Sequence, residues 1–124
     1  MKTITKILSI LIVIMGVTHI GATFSPLIGG KLTSLDAGTF DAMVYMSLMC
    51  GLLLVVLGGY LRWSIGKVEA MPMLKPTITI TTLLLIVDGV SAAAFMPHNP
   101  FAWTIAILCV AAFVTGNVSK LSNK

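Results

Sequence analysis

Two ionisable side chains lie within long apolar stretches of this sequence. Asp88 interrupts Thr77–Met96, a stretch of about twenty residues, and His19 lies in Ile7–Phe24. A charged aspartate near the centre of a membrane helix costs on the order of 3 kcal/mol, so we expect Asp88 to face protein or water. A carboxylate beside an imidazole can relay a proton, orient a metal-binding nitrogen or hold the polar head of a ligand. His19 and Asp88 are therefore the candidate catalytic pair, and a purely structural polar contact between helices is the alternative.

The remaining residues that could do chemistry form no motif. His98 lies in the turn Pro97–Pro100 and with His19 could contribute to a metal or haem site, but the ligand spacings typical of such sites are absent, so we predict neither a metal nor a cofactor. Cys50 and Cys109 lie inside apolar stretches, which is neither a disulfide framework nor a zinc spacing. We expect two buried thiols, with a redox pair as the alternative. Phosphate-binding, dinucleotide-binding and Ser-His-Asp signatures are absent as well.

The composition determines which kind of fold can carry these residues. Of 124 residues, 57% are hydrophobic and 10% are charged, whereas soluble domains carry about 25% charged residues. The mean hydropathy is +1.04. In lipid the backbone must satisfy its own hydrogen bonds as helices or as a closed barrel, and long apolar stretches without alternation favour helices. We predict one all-α domain over residues 1–124, an integral membrane four-helix antiparallel bundle.

The apolar stretches predict four helices with bounds of about 7–24, 41–61, 77–96 and 100–118. The first follows a short basic segment, as signal peptides do, but it continues beyond the usual apolar core, so we expect it to be retained. Pro26 ends this helix because proline lacks a backbone donor. Thr39 or Asp41 is the predicted N-cap of the second helix, and Asn99 is that of the fourth.

Small and polar residues predict which helix faces pack together. Ser47, Gly51 and Gly58 fall on one face of the second helix, which would allow close approach of another backbone. The opposite face carries Tyr45, Met49, Leu52 and Val56. A polar or small stripe on the third helix consists of Thr77, Thr81, Asp88, Ser91 and Ala92.

The basic residues predict the orientation. A four-span arrangement places all but one of them on the same side, namely Lys2, Lys6, Arg62, Lys67, Lys75, Lys120 and Lys124. Only Lys31 lies on the other side. The positive-inside rule then places both termini in the cytoplasm of a cell with a bacterial-type inner membrane. The scattered charge is not a nucleic-acid-binding stripe, so we expect no nucleic acid partner.

These observations favour a small multi-pass inner-membrane protein that is a non-catalytic accessory or ligand-binding subunit. Its polar site would lie in the outer half of the bilayer, around His19 and Asp88. We expect a homo-oligomer or a larger membrane complex, with a lipophilic small molecule as a further partner. The alternative is a membrane enzyme or proton-coupled carrier for a quinone or isoprenoid, in which His19 and Asp88 are acid–base partners.

Overall fold

A computed structural model describes residues 1–26, 30 and 34–121, with the backbone alone for 119–121. This part of the chain contains four helices: α1 (Lys2–Thr23), α2 (Ala37–Lys67), α3 (Leu74–Phe95) and α4 (Pro100–Leu121). Each has a segment long and apolar enough to cross a membrane, which confirms the prediction of an all-α chain with four such helices. Lys31 and Lys124, which entered the orientation argument, lie outside the described residues.

The second helix extends beyond both of its predicted bounds, 41–61. Its 31 residues span about 46 Å, more than the roughly 30 Å of a hydrocarbon core. At its start, Asp36 has an extended backbone and accepts hydrogen bonds from the Thr39 amide at 3.0 Å and the Thr39 hydroxyl at 2.6 Å. These bonds lower the pKa of the exposed Asp36 carboxyl. The prediction of Thr39 or Asp41 as the N-cap was therefore wrong, because the helix begins earlier, directly after Asp36.

Three glycines, one on α1 and two on α2, allow these helices to approach closely. A Cβ added to Gly16 would lie 2.7 Å from the carbonyl oxygen of Gly51, and one added to Gly51 would lie 3.0 Å from the carbonyl oxygen of Gly16. A Cβ on Gly58 would lie 3.1 Å from the carbonyl oxygen of Ser9. The predicted small-residue face of α2 is therefore confirmed as the face that packs on α1.

A short turn joins α3 to α4. The Asn99 side chain accepts a hydrogen bond from the Phe101 amide at 3.0 Å, which confirms Asn99 as the predicted cap of α4. The indole of Trp103 donates to the Pro97 carbonyl at 2.9 Å and so ties the first turn of α4 to the connection. The two helices are in close contact at Gly89, where an added Cβ would lie 3.0 Å from the Cα of Ala106.

Asn117 links the other ends of α3 and α4. Its Oδ1 accepts from the Thr79 hydroxyl at 3.0 Å, and its Nδ2 donates to the Thr82 hydroxyl at 3.4 Å and to the Phe113 carbonyl at 2.8 Å. This interhelical amide was not singled out from the sequence. Hydrogen bonds of this kind between membrane helices are worth about 0.6–2 kcal/mol.

The core lies where all four helices meet, and its fully buried side chains include Ile12, Leu54, Leu61, Ile78, Leu85, Cys109 and Ala112. The helices pack most extensively in the pairs α1 with α2 and α3 with α4, whereas the contacts of α1 with α4 and of α2 with α3 are smaller. An exposed ion pair between Lys2 and Glu69 ties the start of α1 to the segment after α2. The Lys2 hydrogen bond and charge lower the pKa of the Glu69 carboxyl.

Candidate functional site

Asp88 lies between α2 and α3, where it is partly buried. Its Oδ1 accepts a hydrogen bond from the Cys50 thiol at 3.4 Å. Its Oδ2 is buried and has no hydrogen-bond partner among the residues that the structure describes. A buried polar atom without a hydrogen-bond partner destabilises a fold by about 1–3 kcal/mol. A hydrogen-bond donor that reached this oxygen would remove that cost.

His19 is held by two hydroxyl groups from α1 and α2. Its Nε2 lies 3.1 Å from the Ser47 Oγ, which in turn lies 2.7 Å from the Thr23 Oγ1. Thr23 donates its hydroxyl proton to the carbonyl of His19 at 3.0 Å, so Ser47 must donate to Thr23. The imidazole then donates from Nε2 to Ser47, an assignment that follows from counting one proton per hydroxyl.

A third helix fixes the ring of His19. Phe101 of α4 stacks on the imidazole with a centroid distance of 5.8 Å and an interplanar angle of 21°. His19 and Asp88 interact electrostatically, but within the described part of the chain no hydrogen bond joins them. The fold therefore brings the two predicted site residues into one region without making them a directly bonded acid–base pair.

Both cysteines, Cys50 on α2 and Cys109 on α4, are free thiols. Cys109 is fully buried, and a Cβ added to Gly89 would lie 3.3 Å from its sulfur. Cys50 is only partly buried and bonds Asp88, a contact that the sequence did not assign. Similar depths of Cys50 and Asp88 along their helices were the signal that could have indicated it.

A groove of about 500 Å³ lies beside Asp88 and opens on the outside of α2 and α3. Its walls are almost wholly apolar, and Asp88 supplies the carboxylate. The lining residues are Tyr45, Met46, Met49, Cys50, Leu52, Leu53, Val56 and Asp88. Most of the α2 side chains in this set belong to the face predicted to lie opposite the small-residue face, and they are exposed.

The other candidate ligands do not form a cluster. Among residues 1–26, 30 and 34–121, no group of three or more histidine, cysteine, aspartate or glutamate side chains could hold a metal ion. His98 is exposed in the turn between α3 and α4, while the Nε2 of His19 is engaged by Ser47. The polar chemistry that the structure does bring together is the Asp88–Cys50 bond and the His19–Ser47–Thr23 chain.

Four candidate membrane-spanning helices define the general class, a multi-pass membrane protein. No protein-family model matches the chain, and no match was found among curated proteins or solved structures. Any narrower assignment must therefore come from the geometry of the groove and of the polar groups beside it.

Proposed function

We propose that this protein is an inner-membrane, four-span antiparallel bundle with both termini in the cytoplasm. The contacts between α1 and α2 support opposite directions, because Ser9 lies against Gly58 whereas Thr23 bonds Ser47. The charge distribution supports the orientation, since the basic residues concentrate at the end that would face the cytoplasm.

In this arrangement the protein is a non-catalytic ligand-binding subunit that holds a lipophilic molecule in the groove between α2 and α3. The supporting observation is the Oδ2 of Asp88, a buried acceptor without a partner among the described residues, beside a largely apolar groove. Small-molecule sites commonly combine apolar walls with a few polar groups that orient the ligand. Binding is favoured over catalysis because His19, the natural acid–base partner, is hydrogen-bonded to Ser47 and not to Asp88.

Native mass spectrometry of the protein extracted gently from its membrane tests this function. We expect a small-molecule adduct on the wild type that is lost in Met49→Trp, because the indole fills the groove. Val114→Trp places the same side chain on an exposed position of α4 away from the groove, so it retains the adduct. A wild type without an adduct, or equal adducts on both variants, contradicts the proposal.

The second candidate is a proton-coupled carrier or an enzyme for a quinone or isoprenoid. The hydrogen-bonded chain Thr23–Ser47–His19 and the electrostatic interaction of His19 with Asp88 favour it, since such chains can pass protons. Asp88→Asn keeps the shape and removes the titrating charge. If this variant assembles normally but loses transport or turnover, the non-catalytic function is excluded.

The proposal also includes assembly, either with a second copy or in a larger membrane complex. The side chains of Ile7, Ile14 and Val17 on one face of α1 are exposed in the single chain and do not line the groove, so a partner helix can cover this face while the groove stays open. Crosslinking in the native membrane, through single cysteines introduced on this face, measures whether a second copy or another protein covers it.

A further inference from the structure

We propose that the ligand of the groove is a lipophilic cation, an apolar body carrying a protonated amine that binds Asp88. This inference rests on the proposed ligand-binding function and names the class of molecule. One groove holds the Asp88 carboxylate together with the aromatic ring of Tyr45 and the thioethers of Met46 and Met49.

The negative charge of Asp88 repels an anion in the groove and attracts a cation. Asp88 is the acidic lining residue, and neither a lysine nor an arginine of the described residues lines the groove. Opposite charges attract far more strongly in an apolar surrounding than in water, and like charges repel correspondingly. His19, the basic group that interacts with the carboxylate, is held back by Ser47 and Phe101 and forms no hydrogen bond with it.

The hydrogen bonding of Asp88 favours a ligand with several donors. An ionised carboxylate only accepts, and Cys50 supplies one weak thiol donor to Oδ1. Asp88 lines the groove, and a carboxylate oxygen that accepts from one weak thiol has a lone pair left for a donor on a head group bound there. A protonated amine brings three donors and a charge, whereas an alcohol brings one donor and no charge.

The walls of the groove suit the rest of such a molecule. The ring of Tyr45 attracts cations through its π face, and the sulfur atoms of Met46 and Met49 are polarizable. Leu52, Leu53 and Val56 continue the groove along α2 with aliphatic surface for an apolar body. The volume of about 500 Å³ lies in the usual range for small-molecule sites, roughly 300–1,000 Å³.

Photo-crosslinking of the full chain in phosphatidylcholine vesicles at neutral pH tests the ligand class. Three probes share one diazirine-bearing alkyl chain and differ only in the head group, which is a primary amine, an alcohol or a carboxylate. Mass spectrometry then maps the labelled residues. We expect the amine to label the groove about tenfold more than the alcohol, because charged hydrogen bonds are that much stronger than neutral ones. The carboxylate should label it least.

Variants connect this preference to Asp88. Asp88→Asn should reduce labelling by the amine about tenfold, to the level of the alcohol, while Asp41→Asn should leave it unchanged. Asp41 is a matched control because it is an exposed aspartate on α2 that does not line the groove. Met49→Trp retains the carboxylate and should abolish labelling by the amine and the alcohol alike, which tests the location of the ligand in the groove if Asp88→Asn fails to fold.

The outcomes distinguish a failure of the cationic ligand class from a failure of the proposed ligand-binding function. Equal labelling by amine and alcohol, or labelling by the amine that Asp88→Asn does not change, refutes the cationic ligand class. The proposed binding of a lipophilic molecule in the groove would then still stand. If none of the three probes labels the groove above the rest of the helix surface, both the cationic class and the proposed function are refuted.

Discussion

Replacing Gly16 with alanine should weaken the packing of α1 on α2. The added Cβ would lie 2.7 Å from the carbonyl oxygen of Gly51 and 2.9 Å from the Cγ2 of Val55. The oxygen belongs to the backbone of a helix and cannot turn aside as the end of a flexible side chain can. Relief therefore requires the two helices to separate.

The distances give the size of the effect. Restoring ordinary contact with the Gly51 oxygen requires a separation of roughly 0.7 Å, and gaps of this size forfeit a quarter to a half of each atomic attraction. Overpacking of this kind costs about 1–3 kcal/mol. Alanine also gains about 1 kcal/mol in helix propensity over glycine, so the comparison needs a variant with the same gain. Gly59→Ala is that control, because no atom of the described residues lies within 4 Å of the added Cβ.

The assay is reversible unfolding in mixed micelles by titration with dodecyl sulfate, followed by circular dichroism. We expect Gly16→Ala to be less stable than Gly59→Ala by about 1–3 kcal/mol, which is roughly a 5- to 150-fold change in the folding equilibrium constant. If the two variants unfold together, or if Gly16→Ala is the more stable, the close approach of α1 and α2 at this position is refuted.

Two further predictions concern polar contacts elsewhere in the bundle. Asn117→Leu should lower the free energy of unfolding by about 1–2 kcal/mol in the same titration, because leucine has a similar volume but cannot form the hydrogen bonds to Thr79 and Thr82. An unchanged or raised stability contradicts the interhelical link. Lys2 lowers the pKa of Glu69, so their contribution to stability is complete above the ordinary glutamate pKa and is lost as the pH falls through the lower folded pKa. Unfolding midpoints measured from neutral pH into acid should therefore differ between wild type and Glu69→Gln at neutral pH and converge in acid, and parallel curves would show that the ion pair contributes nothing.

Composition and periodicity were sufficient for the number of helices and for one packing face. The face that includes Gly51 and Gly58 follows from spacing alone, because residues three, four or seven apart share one side of a helix. The N-cap of α2 was missed because Thr39 and Asp41 are as favourable in type as Asp36, and only the backbone conformation decides between them.

The partners of the polar groups could not be derived in the same way. Depth along a helix places Cys50 and Asp88 in one layer, but the rotation of each helix determines which side chains meet. Ser47 was assigned to packing on the small-residue face, yet its hydroxyl also bonds His19. These contacts depend on the mutual arrangement of three helices, which one sequence does not specify.

The groove beside Asp88 lies on the outer surface of the helices, along exposed side chains such as Met46 and Val56. A molecule that enters there from a surrounding bilayer leaves lipid, not water, so its local concentration is determined by partitioning. Each methylene added to its chain raises its membrane concentration about fourfold, from about 0.8 kcal/mol of transfer free energy. Occupancy would therefore rise with chain length even when no additional contact forms, and affinities are comparable only when expressed as mole fractions in lipid.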